Sequence, residues 1–248
     1  MRNAFEAGTI VAIVAALVGY FVVLRGLSFA GHALAHIGFA GATGAVLIGI
    51  APIAGLLTFT VSAATTMGIL GKRIHGRDVV IGTVLAWMLG LGVLFLSLYT
   101  GSATSAFAIL FGEILGITRR DVLVTMATGL LTVAAIGVMY RPLLFASLDE
   151  EVAEARGVPV RILGVVFMIA LAFAVSEAVQ VVGVLLIFAL LLAIGFSLAF
   201  TWGGLTIAYY APYPVSFFIT SLAFGTYVLV RVSRSLQSRT AIASTSIK

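Results

Sequence analysis

Two histidines, His32 and His36, lie four residues apart in an otherwise apolar stretch of the sequence. Residues at this spacing share one face of a helix, with their Cβ atoms about 6 Å apart, so both imidazoles can bind one metal ion. The H-E-x-x-H hydrolases use the same spacing, but Ala33 here occupies the position of their general base. The pair therefore predicts a metal site without the base that hydrolysis needs.

Two carboxylates are candidates to complete such a site. Glu113 lies within the apolar segment 110–116, and Glu177 lies at the break between two long apolar runs. An ionisable residue inside a membrane is costly and usually faces a cavity or an ion pathway. The alternative interpretation makes Glu113 an interfacial residue and Glu177 a polar residue at the membrane surface.

The helices that position these residues are predicted to span a membrane. The chain has 248 residues, of which 62% are hydrophobic and 9% are charged, and its mean hydropathy is +1.22. A spanning helix needs about 20 apolar residues. We expect an all-α, polytopic transmembrane helix bundle forming one domain over residues 1–248, with about eight membrane segments and a range of roughly seven to nine. The apolar runs cover approximately residues 8–24, 29–50, 52–70, 79–98, 122–140, 160–175, 178–200 and 215–230.

The charged residues indicate the topology and argue against nucleic-acid binding. The 14 Lys and Arg residues lie dispersed at the ends of apolar runs rather than in a basic stripe. Placing the polar connector 141–161 in the cytoplasm puts most of them on one side, as the positive-inside rule requires. The arginines after residue 230 then fall on the wrong side, which predicts an extra, broken or missing crossing between residues 160 and 209.

The connector at about 141–161 is predicted to contain a short exposed helix. Ser147 precedes Glu150 by three residues, which is the spacing of a capping box, and Gly157 followed by Pro159 supplies a stop. Leu148, Val152 and Ala155 fall at helical spacing and would form one apolar face. A docking helix is therefore one interpretation, and a merely solvated connector is the other.

ATP hydrolysis is not expected on this chain. The sequence has no G-x-x-x-x-G-K-[ST] phosphate-binding loop, because Gly71-Lys72 is followed by Arg73. It also contains no cysteine, which excludes thiolate metal ligands. Any hydrolysis that drives this protein must take place on a separate ATPase subunit.

The order of these motifs resembles the permease subunits of the zinc, manganese and iron family of ATP-binding-cassette importers. The resemblance lies in RGLSFAGHALAHIGFAGATG from Arg25 to Gly44, in GRDVVIG from Gly76 to Gly82 and in LFGEILGI from Leu110 to Ile117. It continues in the LDEEVAEARGVPV connector and in VVGVLL from Val181 to Leu186. Together these segments cover most of the chain.

The resemblance implies a function and a set of partners. His32 stands where the family usually has Asp and His36 stands at its His, so the two mark an intramembrane metal site. An imidazole in place of a carboxylate favours Zn²⁺ over Mn²⁺, with iron as a further alternative. The ATPase-coupling segment would consist of Leu148, Asp149, Glu150, Val152, Ala155 and Gly157.

The expected assembly is a homodimer in a bacterial or archaeal cell membrane, the inner one where there are two. It would receive metal from an extracytoplasmic binding protein, use ATP on cytoplasmic ATPase subunits and hold no permanent cofactor. After Leu186 a further crossing found in relatives looks absent here, and such a loss would put transport in doubt. An ATP-independent metal or cation carrier or channel and an intramembrane metallohydrolase are the alternative hypotheses.

Overall fold

The computed structural model describes residues 2–70, 77–98, 117–182, 197–210 and 217–226. Every element of regular structure in these ranges is a helix, which confirms the all-α prediction. The helices are α1 (Arg2–Leu24), α2 (Ser28–Leu47), α3 (Pro52–Leu70), α4 (Arg77–Leu98), α5 (Arg119–Leu148), α6 (Glu150–Ala155), α7 (Val160–Val182), α8 (Ser197–Tyr210) and α9 (Phe217–Thr226).

Five of the described helices, α1, α3, α4, α5 and α7, are long and apolar enough to cross a membrane. They confirm a polytopic bundle. Helix α2, with 20 residues, is not among these five, yet most of its residues are buried and it packs against α3, α4 and α7. The predicted total of about eight segments extends over ranges outside the described residues and stays a prediction.

Contacts between residues on neighbouring helices show which helices run parallel and which run antiparallel. Gly41 of α2 meets Gly55 of α3, while Gly38 meets Thr60, so these two helices are antiparallel. The rings of Phe21 and Tyr140, near the ends of α1 and α5, lie 5.8 Å apart, so α1 and α5 are parallel. The α1–α2 turn, the end of α5, α6 and the start of α7 therefore lie together, at what we call the connector end of the bundle.

Helix α7 lies at the centre of the bundle and packs against α1, α2, α3 and α5. Its Phe167 is fully buried, and the Phe167 ring contacts the ring of Phe21 edge to face at 6.1 Å. Its Ser176 forms a buried hydrogen bond of 2.9 Å with the hydroxyl of Thr60 on α3. Polar contacts thus join α7 to α3 where small side chains allow close packing.

We expect Ser176→Ala to lower the free energy of unfolding by about 0.6 kcal/mol, the average for hydrogen bonds between membrane helices. The loss is small because the Thr60 hydroxyl also hydrogen-bonds to the Leu56 carbonyl oxygen at 2.8 Å. A double-mutant cycle with Thr60→Val, measured by thermal unfolding in detergent, isolates the coupling. Thr58→Val serves as the control, since the exposed Thr58 hydroxyl bonds only to its own helix; equal losses at both threonines would contradict the prediction.

Two predicted helix ends were wrong. Helix α5 does not end near residue 140 but continues through Pro142 to Leu148. Pro142 removes only the hydrogen bond to the carbonyl of Val138, and Val138 is 84% exposed, so the bundle interior is not disturbed. Likewise α7 is continuous through Glu177, which was expected at a break between two spans. At both places the run of apolar residues ends, but the helix continues.

The predicted capping box of the connector was also wrong. Ser147 belongs to the last turn of α5 and donates its hydroxyl proton to the Leu143 carbonyl at 2.6 Å. Asp149 caps α6 instead, because its Oδ1 accepts from the backbone N–H of Val152 at 3.0 Å. The predicted stop is confirmed: α6 ends at Ala155, and Gly157 adopts a φ of +81°.

The predicted apolar face of the connector is not the face that packs on the bundle. Leu148 and Val152 are 71% and 45% exposed, and Ala155 is exposed as well. The packed residue is Ala153, which is fully buried against Ala146 and Val160. A small residue faces inward because α6 lies close over the ends of α5 and α7. The larger apolar side chains consequently point away from the bundle.

Candidate metal site

Helix α2 positions the two histidines a short distance from the connector end. The chain turns at Gly26, whose φ of +64° lies in the left-handed region, and the N–H of Leu27 bonds back to the Val22 carbonyl at 2.8 Å. Helix α2 then begins at Ser28, so His32 lies in its second turn. The turn therefore fixes where the first histidine enters the bundle.

The two imidazoles lie close together on one face of α2, as their spacing predicted. Their ring centroids are 4.6 Å apart and the ring planes are inclined at 82°. Both side chains are half-buried, whereas Ala33, Leu34 and Ala35 between them are buried. The histidines are thus the more exposed positions of this stretch of α2.

The face closes beyond the histidines. Thr43, seven residues after His36 and therefore on the same side of α2, is 2% exposed, and its hydroxyl hydrogen-bonds to the carbonyl of Phe39 at 3.0 Å. Gly92 of α4 packs against the Phe39 ring and the Ala40 backbone at this level. The burial of Thr43 was not predicted, although its seven-residue spacing from His36 places both on one face of α2.

The histidine pair is not joined by a third candidate ligand of the usual types within the described residues. No group of three or more His, Asp or Glu residues that could hold a metal ion occurs within the described ranges. Structural zinc sites use four protein ligands and catalytic ones usually three. If the pair binds a metal ion, as the sequence predicts, its other coordination positions would fall to water, to residues beyond the described ranges or to another chain.

The two candidate carboxylates have different outcomes. Glu113 lies outside the described residues, so its role stays a prediction. Glu177 lies in α7 and is 4% exposed. Its Oε2 lies near Gly129 of α5, and that glycine also faces Ile10 and Val14 of α1. The structure thus places the Glu177 carboxyl in contact with α5, and its role as a metal ligand stays a prediction.

A cavity of about 290 Å³ lies at the connector end. Its lining includes Arg25 from the α1–α2 turn, Ser147 from α5, Glu150 from α6 and Arg161 from α7. The Arg25 guanidinium lies 5.7 Å from the centre of the Phe167 ring. The cavity brings together a basic residue of the α1–α2 turn and one from the start of α7 at one end of the bundle, in keeping with the positive-inside rule.

Comparison with known proteins identifies the family. The family model described as "ABC 3 transport family" matches residues 1–228. The manganese transport system membrane protein MntC of Halalkalibacterium halodurans is 30% identical over 196 residues, which cover 79% of this chain and 67% of that protein. The manganese import system permease protein ScaB of Streptococcus gordonii is 33% identical over 193 residues, covering 77% and 69% respectively.

A solved structure agrees with these relatives. The fold superposes on PsaBC from Streptococcus pneumoniae in complex with Fab with a TM-score of 0.80 and 29% sequence identity, covering 92% of this chain and 89% of that one. The relatives are named as membrane or permease proteins of transport systems, so the chain is a transporter subunit and not an enzyme. The chain belongs to the ABC 3 transport family and is the permease subunit of an ATP-binding-cassette metal importer.

Proposed function

We propose that this chain passes manganese across the membrane by way of His32 and His36, driven by ATP hydrolysis on separate subunits. The observation that carries the proposal is the pair of imidazoles held 4.6 Å apart on a half-buried face of α2. Polar groups of this kind at membrane depth usually mark an ion pathway. The manganese relatives supply the expected ion.

The choice of metal differs from the one that the ligand types favoured. Two imidazoles favoured zinc, but both relatives named above are manganese transporters, and they do not support zinc. Manganese binds nitrogen ligands more weakly than zinc does. A pair of imidazoles completed by water would therefore hold Mn²⁺ loosely, and weak binding suits an ion that must leave again.

The proposed partners attach at opposite ends of the bundle. A cytoplasmic ATPase would dock at α6, where the exposed Leu148 and Val152 side chains point away from the bundle beside the acidic residues Glu150 and Glu151. An extracytoplasmic binding protein would deliver the metal at the other end. A second copy of the chain would enclose the pathway.

We expect the double substitution Leu148→Asp and Val152→Asp to reduce co-purification of the ATPase by about 10-fold or more. Both changes place a charge where apolar contact is proposed, and an unpaired charge buried at an interface costs at least about 2 kcal/mol. The bundle itself should stay intact, because α6 is held by Ala153 rather than by these residues. Affinity purification of the complex followed by quantification of each subunit measures the effect.

The control is Ile48→Asp, an apolar-to-acidic change at a similarly exposed residue at the opposite end of the bundle. It should leave co-purification unchanged. Undiminished ATPase binding by the double variant would contradict the docking role of α6. If the Ile48 variant also lost ATPase binding, the loss would come from adding an acidic residue anywhere on the bundle and not from the face of α6.

A further inference from the structure

The cavity at the connector end combines two guanidinium groups with a mainly apolar lining. Arg25 reaches it from the α1–α2 turn, and Arg161 reaches it from the start of α7. The apolar side chains that line it are Leu24, Leu27, Ala146, Val160 and Met168. A site of this composition suits a ligand with an anionic group and an apolar body, because such sites use a few polar groups to orient a ligand that packs on apolar walls.

The Arg25 guanidinium borders open space inside the cavity. A Cβ added to Gly164 of α7 would lie 4.0 Å from Arg25 Nη2 and, apart from the glycine's own neighbours on α7, would meet no other described atom within 4 Å. The volume of about 290 Å³ is close to the lower limit of about 300 Å³ for small-molecule sites. The cavity can therefore admit a headgroup beside Arg25 but not a whole lipid.

The charges of the lining favour a group with a single negative charge. Among the described residues that line the cavity, Arg25 and Arg161 are basic and Glu150 is acidic, which leaves one net positive charge. A phosphodiester carries one negative charge and would balance it, whereas a free phosphate dianion would not. The other acids of the connector are exposed and are not among the described lining residues: Asp149, Glu151 and Glu154.

Exposed tyrosines place this part of the bundle at the membrane–water interface. The Arg25 guanidinium lies 5.7 Å from the centre of the Phe167 ring, and that ring contacts Phe21 at 6.1 Å. Phe21 in turn contacts the rings of Tyr20 at 5.1 Å and Tyr140 at 5.8 Å, and both tyrosines are exposed. Tyrosine is enriched at the level of the lipid headgroups. Arg25 therefore lies near the depth at which lipid phosphates are found.

Exposed apolar side chains continue from the cavity lining onto the outer surface of the bundle. Val23 directly precedes Leu24 on α1, Ile162 directly follows Arg161 on α7, and both are exposed. On helices that span a membrane, such side chains contact acyl chains. A lipid would use both the arginines and this apolar surface, whereas a free phosphate ion would use the arginines alone.

We propose that the cavity binds the phosphodiester headgroup of an anionic membrane lipid, with Arg25 and Arg161 at the phosphate and the acyl chains along Val23 and Ile162. Basic pockets between membrane helices on the cytoplasmic side bind anionic headgroups in other proteins. The bound lipid would join the α1–α2 turn to the ends of α5, α6 and α7. This site is separate from the histidine pair and does not depend on which metal the protein transports.

Native mass spectrometry of the complete, delipidated transporter tests the proposal. The probes are phosphatidylglycerol, whose phosphodiester is anionic, and phosphatidylcholine, which has no net charge, with the same acyl chains. We expect the first bound phosphatidylglycerol to have a Kd at least about 10-fold below that of phosphatidylcholine, because each arginine near a membrane surface contributes about 5-fold. Inorganic phosphate at millimolar concentration should not displace it.

The double substitution Arg25→Gln and Arg161→Gln should abolish this preference. Arg161→Gln alone should reduce it by about 5-fold, and this variant should fold normally because the Arg161 side chain is exposed. Gly164→Leu should weaken phosphatidylglycerol binding without changing any charge, since its side chain would occupy the space beside Arg25. Arg156→Gln is the matched control, an exposed arginine of the connector that is not among the described lining residues, and it should keep the preference.

Four results would overturn the proposal. The first is equal affinity for the two lipids in the wild-type transporter, and the second is a preference that survives both Arg161→Gln and Gly164→Leu. The third is displacement of phosphatidylglycerol by inorganic phosphate, which would make this a site for free anions. The fourth is an unchanged lipid preference in the double variant together with loss of ATPase co-purification, which would assign the arginines to an acidic segment of the ATPase.

Discussion

Replacing both His32 and His36 by alanine is expected to reduce metal uptake by about 100-fold or more, since even residues that only support metal ligands change affinity by about 10-fold to 100-fold. The two rings are the only imidazoles on α2, and they lie within reach of one ion. The alanine variant should assemble normally. Both side chains are only half-buried, whereas the core of this part of α2 is formed by the buried Ala33, Leu34 and Ala35, which the substitutions leave unchanged.

Uptake of manganese by cells that depend on this transporter measures the effect, with membrane levels of the chain checked in parallel. His75→Ala provides a matched control, because it removes the third and last histidine of the sequence, which lies in a stretch rich in basic residues. Each single variant should lose most of the uptake, since one remaining imidazole cannot replace a pair acting as a unit. Uptake that is unchanged in the double variant would exclude the histidines from the pathway.

The substitution Gly41→Leu is expected to prevent correct folding of the bundle. A Cβ at residue 41 would collide with the backbone carbonyl of Gly55 and lie 2.7 Å from the Cβ of Phe59, and a Cβ at residue 55 would collide with the carbonyl of Gly41 in return. Backbone cannot move aside as a flexible side chain can. Overpacking of this kind costs about 3 kcal/mol or more.

The expected readout is a loss of monodisperse protein after purification in detergent, or a fall in Tm of about 6 °C or more. Even Gly41→Ala should cost stability, because its added atom is the one that collides. Gly90→Leu on α4 is the control, since nothing lies within 4 Å of a Cβ at that position. If Gly41→Leu were as stable as Gly90→Leu, the close approach of α2 and α3 would be wrong.

The sequence predicted the histidine pair because helical spacing alone brings residues four apart onto one face. It did not predict which helices cover that face, since the contact of Gly92 with Phe39 depends on how α4 lies against α2. Thr43 was missed for the same reason. Its burial is a property of the packed bundle and not of its own segment.

Polar residues in the sequence led to wrong predictions of where two helices end. Ser147 and Glu150 have the spacing of a capping box, but a serine can equally return its hydroxyl to a carbonyl one turn earlier, as Ser147 does with Leu143. Glu177 lowers the local hydropathy, and it was therefore predicted to lie at a break between two spans. Only the packing partners, Thr60 for Ser176 and Gly129 for Glu177, show that the helix continues into the interior of the bundle.

Family membership and the sequence of the histidine motif favour ATP-driven import over the two alternative functions. The ABC 3 family match favours ATP-driven import over an ATP-independent carrier, and Ala33 in place of a base argues against hydrolysis at the pair. The exposed face of α6 lies at the same end of the bundle as the turn that leads into His32. Movement of α6 by an ATPase would therefore act close to the proposed metal site.

The most direct test of the central claim is electron–nuclear double resonance spectroscopy of Mn²⁺ bound to the complete transporter. The transporter would be trapped with the ion bound during the transport cycle. We expect nitrogen couplings from two imidazoles in the wild-type protein and the loss of both in the His32→Ala, His36→Ala double variant. Bound manganese without imidazole coupling, or coupling that survives in the double variant, would contradict the assignment of His32 and His36 as ligands of the transported ion.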